Sequence, residues 1–82
     1  MTQVKMYTTS TCVYCRAQKA FFAERKIEFT EIHVDTDATA QEEMVAKTGQ
    51  LGVPATIITA QDGTETIVIG FDRPGLEKAL GL

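Results

Sequence analysis

The chain opens on an alternation. Val4-Lys5-Met6-Tyr7 places apolar and polar side chains on opposite sides and reads as a first strand. A polar turn follows at Thr8-Thr9-Ser10-Thr11. From Val13 to about Arg25 the spacing becomes helical, with Ala17, Ala20, Phe21 and Phe22 as the apolar stripe and Arg16, Gln18, Lys19 and Glu24 outside it. Ile27 to Val34 predicts a second strand. Its apolar parity slips between Phe29 and Ile32, which suggests either a bulge or a strand covered on both faces.

Asp35-Thr36-Asp37 signals a second helix, and Thr39 with Glu42 fits a capping box. That helix runs to about Thr48 with Met44 and Val45 facing in, and Gly49 is a natural stop. Pro54 directly precedes Ala55-Thr56-Ile57-Ile58. It must head that strand, because it has no N–H to give to a ladder. A turn containing Asp62-Gly63 leads to Ile67-Val68-Ile69, a hairpin signal. Gly70-Phe71-Asp72-Arg73-Pro74 is a loop in which Pro74 suits the first turn of a last helix, with Leu76, Ala79 and Leu80 on its apolar side. Two successive strand–helix units predict a parallel first half joined by a right-handed crossover.

Composition narrows the class. The 82 residues suffice for one domain, taken as 1–82. A net charge of −3 argues against a nucleic-acid surface, which needs a basic stripe. No apolar run approaches the ~18 residues of a membrane span. No apolar stretch follows Met1-Thr2-Gln3-Val4-Lys5, so a signal peptide is not expected and the chain is expected in a reducing cytoplasm.

In that compartment the pair Cys12 and Cys15, the two cysteines of the sequence, reads as redox chemistry. It lies where the first strand hands over to the first helix. If the helix opens at Cys12, both sulfurs fall on one face, and a disulfide between them closes and reopens easily. A free thiol has a pKa near ~8.5. The unpaired N–H groups and the positive end of a helix N-terminus favour the thiolate. Cys12 at the edge is therefore the expected attacker, and Cys15, one turn in, the buried thiol that resolves the mixed disulfide.

Other readings stand beside this one. The cysteines could be plain core residues. A closed zinc site within one chain is not supported, since His33 is the only further soft ligand and four are needed. A structural disulfide would close a longer loop in a secreted chain. An iron–sulfur cluster bridging two chains through Cys12 is the alternative function, and a non-catalytic binding domain a third. The hydroxyls of Thr8–Thr11 either hold the thiolate and cap the helix or are ordinary turn chemistry. His33 reads as an ordinary strand histidine. Arg16 and Lys19 are solvated helix charges or attract an acidic partner.

Thr11-Cys12-Val13-Tyr14-Cys15, Gly52-Val53-Pro54 and Gly70-Phe71-Asp72, at these separations, resemble the thioredoxin fold and, within it, the glutaredoxin family. The resemblance covers essentially the whole chain. It implies an α/β thioredoxin-like fold of order β-α-β-α-β-β-α, with a four-stranded mixed sheet flanked by helices. It implies a dithiol disulfide oxidoreductase acting on protein or glutathione mixed disulfides, with Cys12 the nucleophile and Cys15 the resolving thiol. Thr11, Val13 and Tyr14 would flank the bound thiol. Pro54 would be the family's cis-proline, leaving the Val53 N–H and C=O free beside Cys12 to pair with an extended substrate. Gly70 would let a ligand backbone approach beside Phe71, and Asp72 would meet its amino group.

No resident cofactor or metal is implied; glutathione enters as co-substrate. Val13 stands where the family's motif has proline. Thr9 stands where glutathione-binding members carry a lysine, a charge that Arg16 would have to supply. Gly52 stands in place of a threonine, and Gly70-Phe71 in place of Gly-Gly. Gly70-Phe71-Asp72-Arg73-Pro74 is similar to the redoxins that feed ribonucleotide reductase and are reduced by thioredoxin reductase. The implied partners are disulfide-containing proteins, ribonucleotide reductase among them, with glutathione or thioredoxin reductase as donor. A monomer is expected.

Overall fold

The computed structural model describes residues 2–82; Met1, where the signal-peptide expectation begins, lies outside the described residues. The elements follow the expected order: β1 (Gln3–Thr8), α1 (Val13–Glu24), β2 (Thr30–His33), α2 (Ala38–Thr48), β3 (Ala55–Thr59), β4 (Glu65–Ile69) and α3 (Arg73–Leu80). The strands form one mixed sheet in the order β2-β1-β3-β4. β1 is parallel to β2 and antiparallel to β3, and β4 returns antiparallel along β3. No helix among the described residues is long and apolar enough to cross a membrane.

Strand alternation divides the core between the two faces of the sheet. Val4 and Met6 of β1, Ile58 of β3 and Val68 of β4 pack with Cys15, Phe21 and Phe22 of α1 and Leu76 of α3. Tyr7, Ala55 and Ile57 point the other way and meet Val34 and the α2 residues Ala40 and Met44. Each fully buried side chain of this size contributes on the order of 1.5–3 kcal/mol. The parity slip in the second predicted strand now has its cause. Ile27 and Phe29 serve the α1 face, while Ile32 and Val34 serve the α2 face. The register from Lys5↔Thr30 to Thr8↔His33 is continuous, so the strand is covered on both faces and carries no bulge in its paired stretch.

Four expectations change. Gln18 lies inside the protein, whereas Ala17 and Ala20 are exposed. The buried line of α1 is Cys15, Gln18, Phe21 and Phe22, and the side chain of Gln18 is accepted there because its Nε2 donates to Thr56 Oγ1 at 2.6 Å. The second strand is shorter than its apolar run. α1 ends at Glu24 with Arg25 as its C-cap and Lys26 in the left-handed region at φ 56, and the chain turns through Ile27–Phe29 before it pairs. Asp37, not Thr39, caps α2, its Oδ1 accepting from Ala40 N–H at 3.1 Å. Val45 stays 36% exposed, because Ala40 and Met44, four apart, define the inward line.

Tyr7 is a buried titrating group of the core. It is fully covered, and its hydroxyl donates to Glu43 Oε1 at 3.0 Å. Burial first, then the Glu43 hydrogen bond and the nearby Glu43 and Glu65 charges, push its phenol from 10.0 up to about 12. The folded value lies above the unfolded one, so this contribution is complete below pH 10 and is lost as pH rises toward 12. It amounts to about 2–3 kcal/mol. The urea midpoint is expected to fall across that window in the wild-type chain and to stay level in Tyr7→Phe; parallel profiles would refute the assignment.

Candidate active site

Cys12 closes the turn after β1 and caps α1. Its backbone is extended at φ −82 and ψ 112, and its Sγ accepts from the Cys15 N–H at 3.1 Å. The first helical backbone bond runs from Arg16 N–H to Cys12 O. Cys12 and Cys15 form a disulfide, with Cα atoms 5.2 Å apart. Cys12 is partly exposed, while Cys15 is 1% exposed. The sulfur nearer the helix mouth is therefore the reachable one.

The cap is the cysteine itself, so the turn hydroxyls are free for other work. Ser10 donates to Asp35 Oδ2 twice, from its N–H at 3.0 Å and from Oγ at 2.7 Å. Thr8 Oγ1 donates to Glu31 Oε2 at 2.9 Å. Thr8, at the end of β1, thus bonds across to β2, and Ser10 ties the cysteine loop to the segment after β2, a use that neither sequence reading of this turn named. Asp35 was legible only as part of a helix-start signal. Lys19 Nζ also lies 2.9 Å from Glu31 Oε2, so its charge is committed within the fold. Arg16 remains exposed, its Nη2 3.5 Å from Ser10 O.

These contacts set the local titration. The two Ser10 bonds hold the Asp35 carboxyl below 3.8. At Glu31 burial acts upward, but bonds from Lys19 and Thr8 and the charges of Lys19 and His33 outweigh it, leaving the carboxyl below 4.5. His33 is half-exposed, with Nε2 3.8 Å from Glu31. Among the described residues no group of three or more His, Cys, Asp or Glu side chains is placed to hold a metal ion.

The opposite wall comes from β3 and the end of β4. The Val53–Pro54 bond is cis, and Pro54 is buried at the head of β3. Pro54 O accepts from Gly70 N–H at 2.8 Å, and Gly70 has φ 74, a region natural to glycine. Val53 and Phe71 pack, with Cys12, on the same core cluster as Cys15. The Phe71 ring lies 6.0 Å from that of Phe21. Among the described residues the Val53 N–H and C=O have no hydrogen-bond partner within the chain.

The structure thus gathers Cys12, Cys15, Val53, Pro54, Gly70 and Phe71. Val13 and Tyr14 stand out from it at 70% and 68% exposure, and Thr11 is exposed beside them. Asp72 is engaged by its own helix: it caps α3, with Oδ1 accepting from Gly75 N–H at 3.1 Å. Leu51, 64% exposed in the loop before Val53, is a further apolar side chain left in solvent that the sequence pattern did not single out.

Residues 4–61 match the family model for glutaredoxin. Glutaredoxin 3 of Escherichia coli K12 is 38% identical over 82 residues, covering 98% of this chain and 99% of that protein. A glutaredoxin-like 8.6 kDa protein in the rubredoxin operon of Clostridium pasteurianum is 32% identical over 77 residues, covering 94% and 96%. Among solved structures, the glutaredoxin from Methanosarcina mazei Go1 superposes with a TM-score of 0.81 at 27% identity, over 98% of this chain and 79% of that one. The mixed sheet with its three helices is thioredoxin-like.

The Asp35 tether yields a pH test. A depressed carboxyl contributes above its ordinary value, here 3.8, and the contribution is lost as pH falls through the lower, folded value. Amide exchange at Ser10 is expected to run roughly fivefold faster in Asp35→Ala than in the wild-type chain near neutrality, the worth of one ordinary hydrogen bond. The two rates should converge as pH drops below 3.8. A ratio near one at pH 7 would show that the tether does not hold the loop.

Proposed function

The chain belongs to the glutaredoxin family, and from that premise we propose that it reduces disulfides of protein and mixed protein–small-thiol type, with Cys12 attacking and Cys15 resolving. The observation that carries this reading is a disulfide-paired couple at a helix mouth with one sulfur reachable and the other buried. The helix N-terminus that favours a Cys12 thiolate is the physical source of its reactivity.

The Cys12 thiolate attacks one sulfur of the target disulfide. The target's S–S bond breaks, its distal sulfur leaves as a thiolate that takes a proton from solvent, and a Cys12–target bond forms. Cys15 then loses its proton, attacks Cys12 Sγ, and expels the second target thiol. The target has gained two electrons and two protons, and the chain is left as the Cys12–Cys15 disulfide. The extended target strand pairs with the unpartnered Val53 backbone, in the manner of strand addition. Thr11, Val13 and Tyr14 flank it on one side, and Gly70, Phe71 and the Asp72 loop on the other. The work is placed in a reducing compartment such as the cytoplasm, on disulfide-containing proteins of the ribonucleotide reductase type.

Two thiol equivalents return the disulfide to the dithiol. The glutaredoxin 3 relationship favours glutathione as their source. A specific observation favours thioredoxin reductase instead: Thr9 offers no charge for a glutathione carboxylate and Lys19 is spent on Glu31, which leaves that role to the exposed Arg16.

Cys12→Ser is expected to reduce disulfide turnover to the uncatalysed rate, and Cys15→Ser to accumulate a covalent adduct with its target. Wild-type turnover in either variant overturns the assignment of that residue. For the donor, the oxidised chain is mixed with glutathione, or with NADPH and thioredoxin reductase. Faster reduction by glutathione supports the first source and faster reduction by the reductase the second. Thr9→Lys should lower the KM for glutathione by at most about fivefold, the range of an exposed ion pair; an unchanged KM removes Thr9 from the specificity account.

A further inference from the structure

Gln18 is an expensive residue to have in the core, and only half of its amide is used. It is fully buried on α1 among Cys15, Phe21 and Phe22. Nε2 donates to Thr56 Oγ1 at 2.6 Å, yet Oε1 is buried with no partner among the described residues. A dry carbonyl left without a donor is costly, and an apolar side chain would avoid the cost. Three features of its placement bear on what the spare acceptor is for. Gln18 follows Cys15 by three residues, so the two share one helix face. Helical side chains lean toward the N-terminus over the preceding turn, which here is the turn of Cys15. Thr56, which holds the amide from the other side, is two residues past Pro54 on the strand that forms the site's opposite wall.

The disulfide explains why the acceptor is idle. A disulfide sulfur carries no hydrogen, so the oxidised site offers Oε1 nothing. Reduction changes that: two small thiols are oxidised to their disulfide, the Cys12–Cys15 bond breaks, and the two electrons and two protons arrive on the two sulfurs. The proton on Cys15 then sits in a space closed to water, where it needs an acceptor. We propose that Gln18 is a positioning residue for the resolving thiol, its Oε1 accepting the S–H of Cys15 in the dithiol form only. The inference deepens the functional reading above and rests on its assignment of Cys15.

Two consequences are measurable. The amide stabilises the dithiol and not the disulfide, so it makes the chain a weaker reductant. It also holds the proton on Cys15 while Cys12 reacts first. In Gln18→Met/Thr56→Val, where neither buried polar group is left alone, the equilibrium with a glutathione buffer is expected to shift toward the disulfide by roughly five- to tenfold, about 20–30 mV toward more negative potential. In a Cys12→Ser background, where Cys15 is the lone thiol, the same pair of changes is expected to lower the Cys15 pKa. An unchanged equilibrium and an unchanged pKa overturn the proposal.

If the double variant does not fold, the S–H stretching band of reduced Cys12→Ala with Gln18 intact decides instead, since alanine puts no competing acceptor beside Cys15. A band shifted to lower frequency, as for a hydrogen-bonded thiol, supports the contact, and a free-thiol band overturns it. The trapping experiment with Cys15→Ser keeps the two readings apart. If Cys15→Ser traps a target while the equilibrium is unmoved, only the role of Gln18 falls. If it traps nothing, the assignment of Cys15 falls while the redox equilibrium still reports on the amide.

Discussion

The register of β1 is the constraint from which the rest of the structure follows. This strand pairs in parallel with β2 on one side and antiparallel with β3 on the other. Tyr7 lies opposite Ala55, so the end of β1 and the head of β3 are neighbours. One leads within a few residues to Cys12, and the other is preceded by Val53 and Pro54. Two stretches more than forty residues apart in sequence thereby become the two walls of one site. The burial that fixes this register is two-sided, with Val4 and Met6 held under α1 and α3 and Tyr7 under α2. A slip of one residue would exchange those faces.

The site is built from polar contacts laid over that frame. Ser10 and Thr8 bind Asp35 and Glu31, Gly70 binds the carbonyl of Pro54, and Gln18 binds Thr56 in the interior. Ser10, Thr8, Asp35, Glu31, Gln18 and Thr56 do this without being among the residues expected to meet a substrate. Together they hold an exposed loop, a buried thiol and an unpaired strand head in fixed relation. Rigid backing of this kind matters because disulfide exchange requires the attacking sulfur to meet its target in line.

Much of this was legible in the residues. The alternation at Val4–Tyr7, the helical spacing to Arg25 and the proline before Ala55 each follow from local chemistry, and all three elements formed where expected. The junctions themselves could be placed for the same reason, since cysteine, proline and glycine mark them strongly at Cys12, Pro54 and Gly70. What was missed depends on tertiary partners. Gln18 reads as a surface residue until Thr56 is seen opposite it. Asp35 reads as a helix-start signal until Ser10 arrives from another segment. Thr39 and Asp37 are both sound caps by type, and the structure uses Asp37, whose backbone is extended and whose side chain accepts from Ala40 N–H. The left-handed Lys26 that shortens β2 carries no sequence mark, because glycine is the residue that ordinarily signals such a turn.

Cys12 holds up the first turn of α1 with the same atom that the proposed exchange uses as its nucleophile. Removing that atom therefore confounds two losses, an unravelled helix start and an absent nucleophile. Serine keeps an acceptor in nearly the same place, whereas alanine leaves the Cys15 amide hydrogen with nothing to bind, at about 0.5–2 kcal/mol for a lost cap. An alanine knock-out at this position would report architecture and reactivity in one number, and only the oxygen-for-sulfur exchange isolates the second.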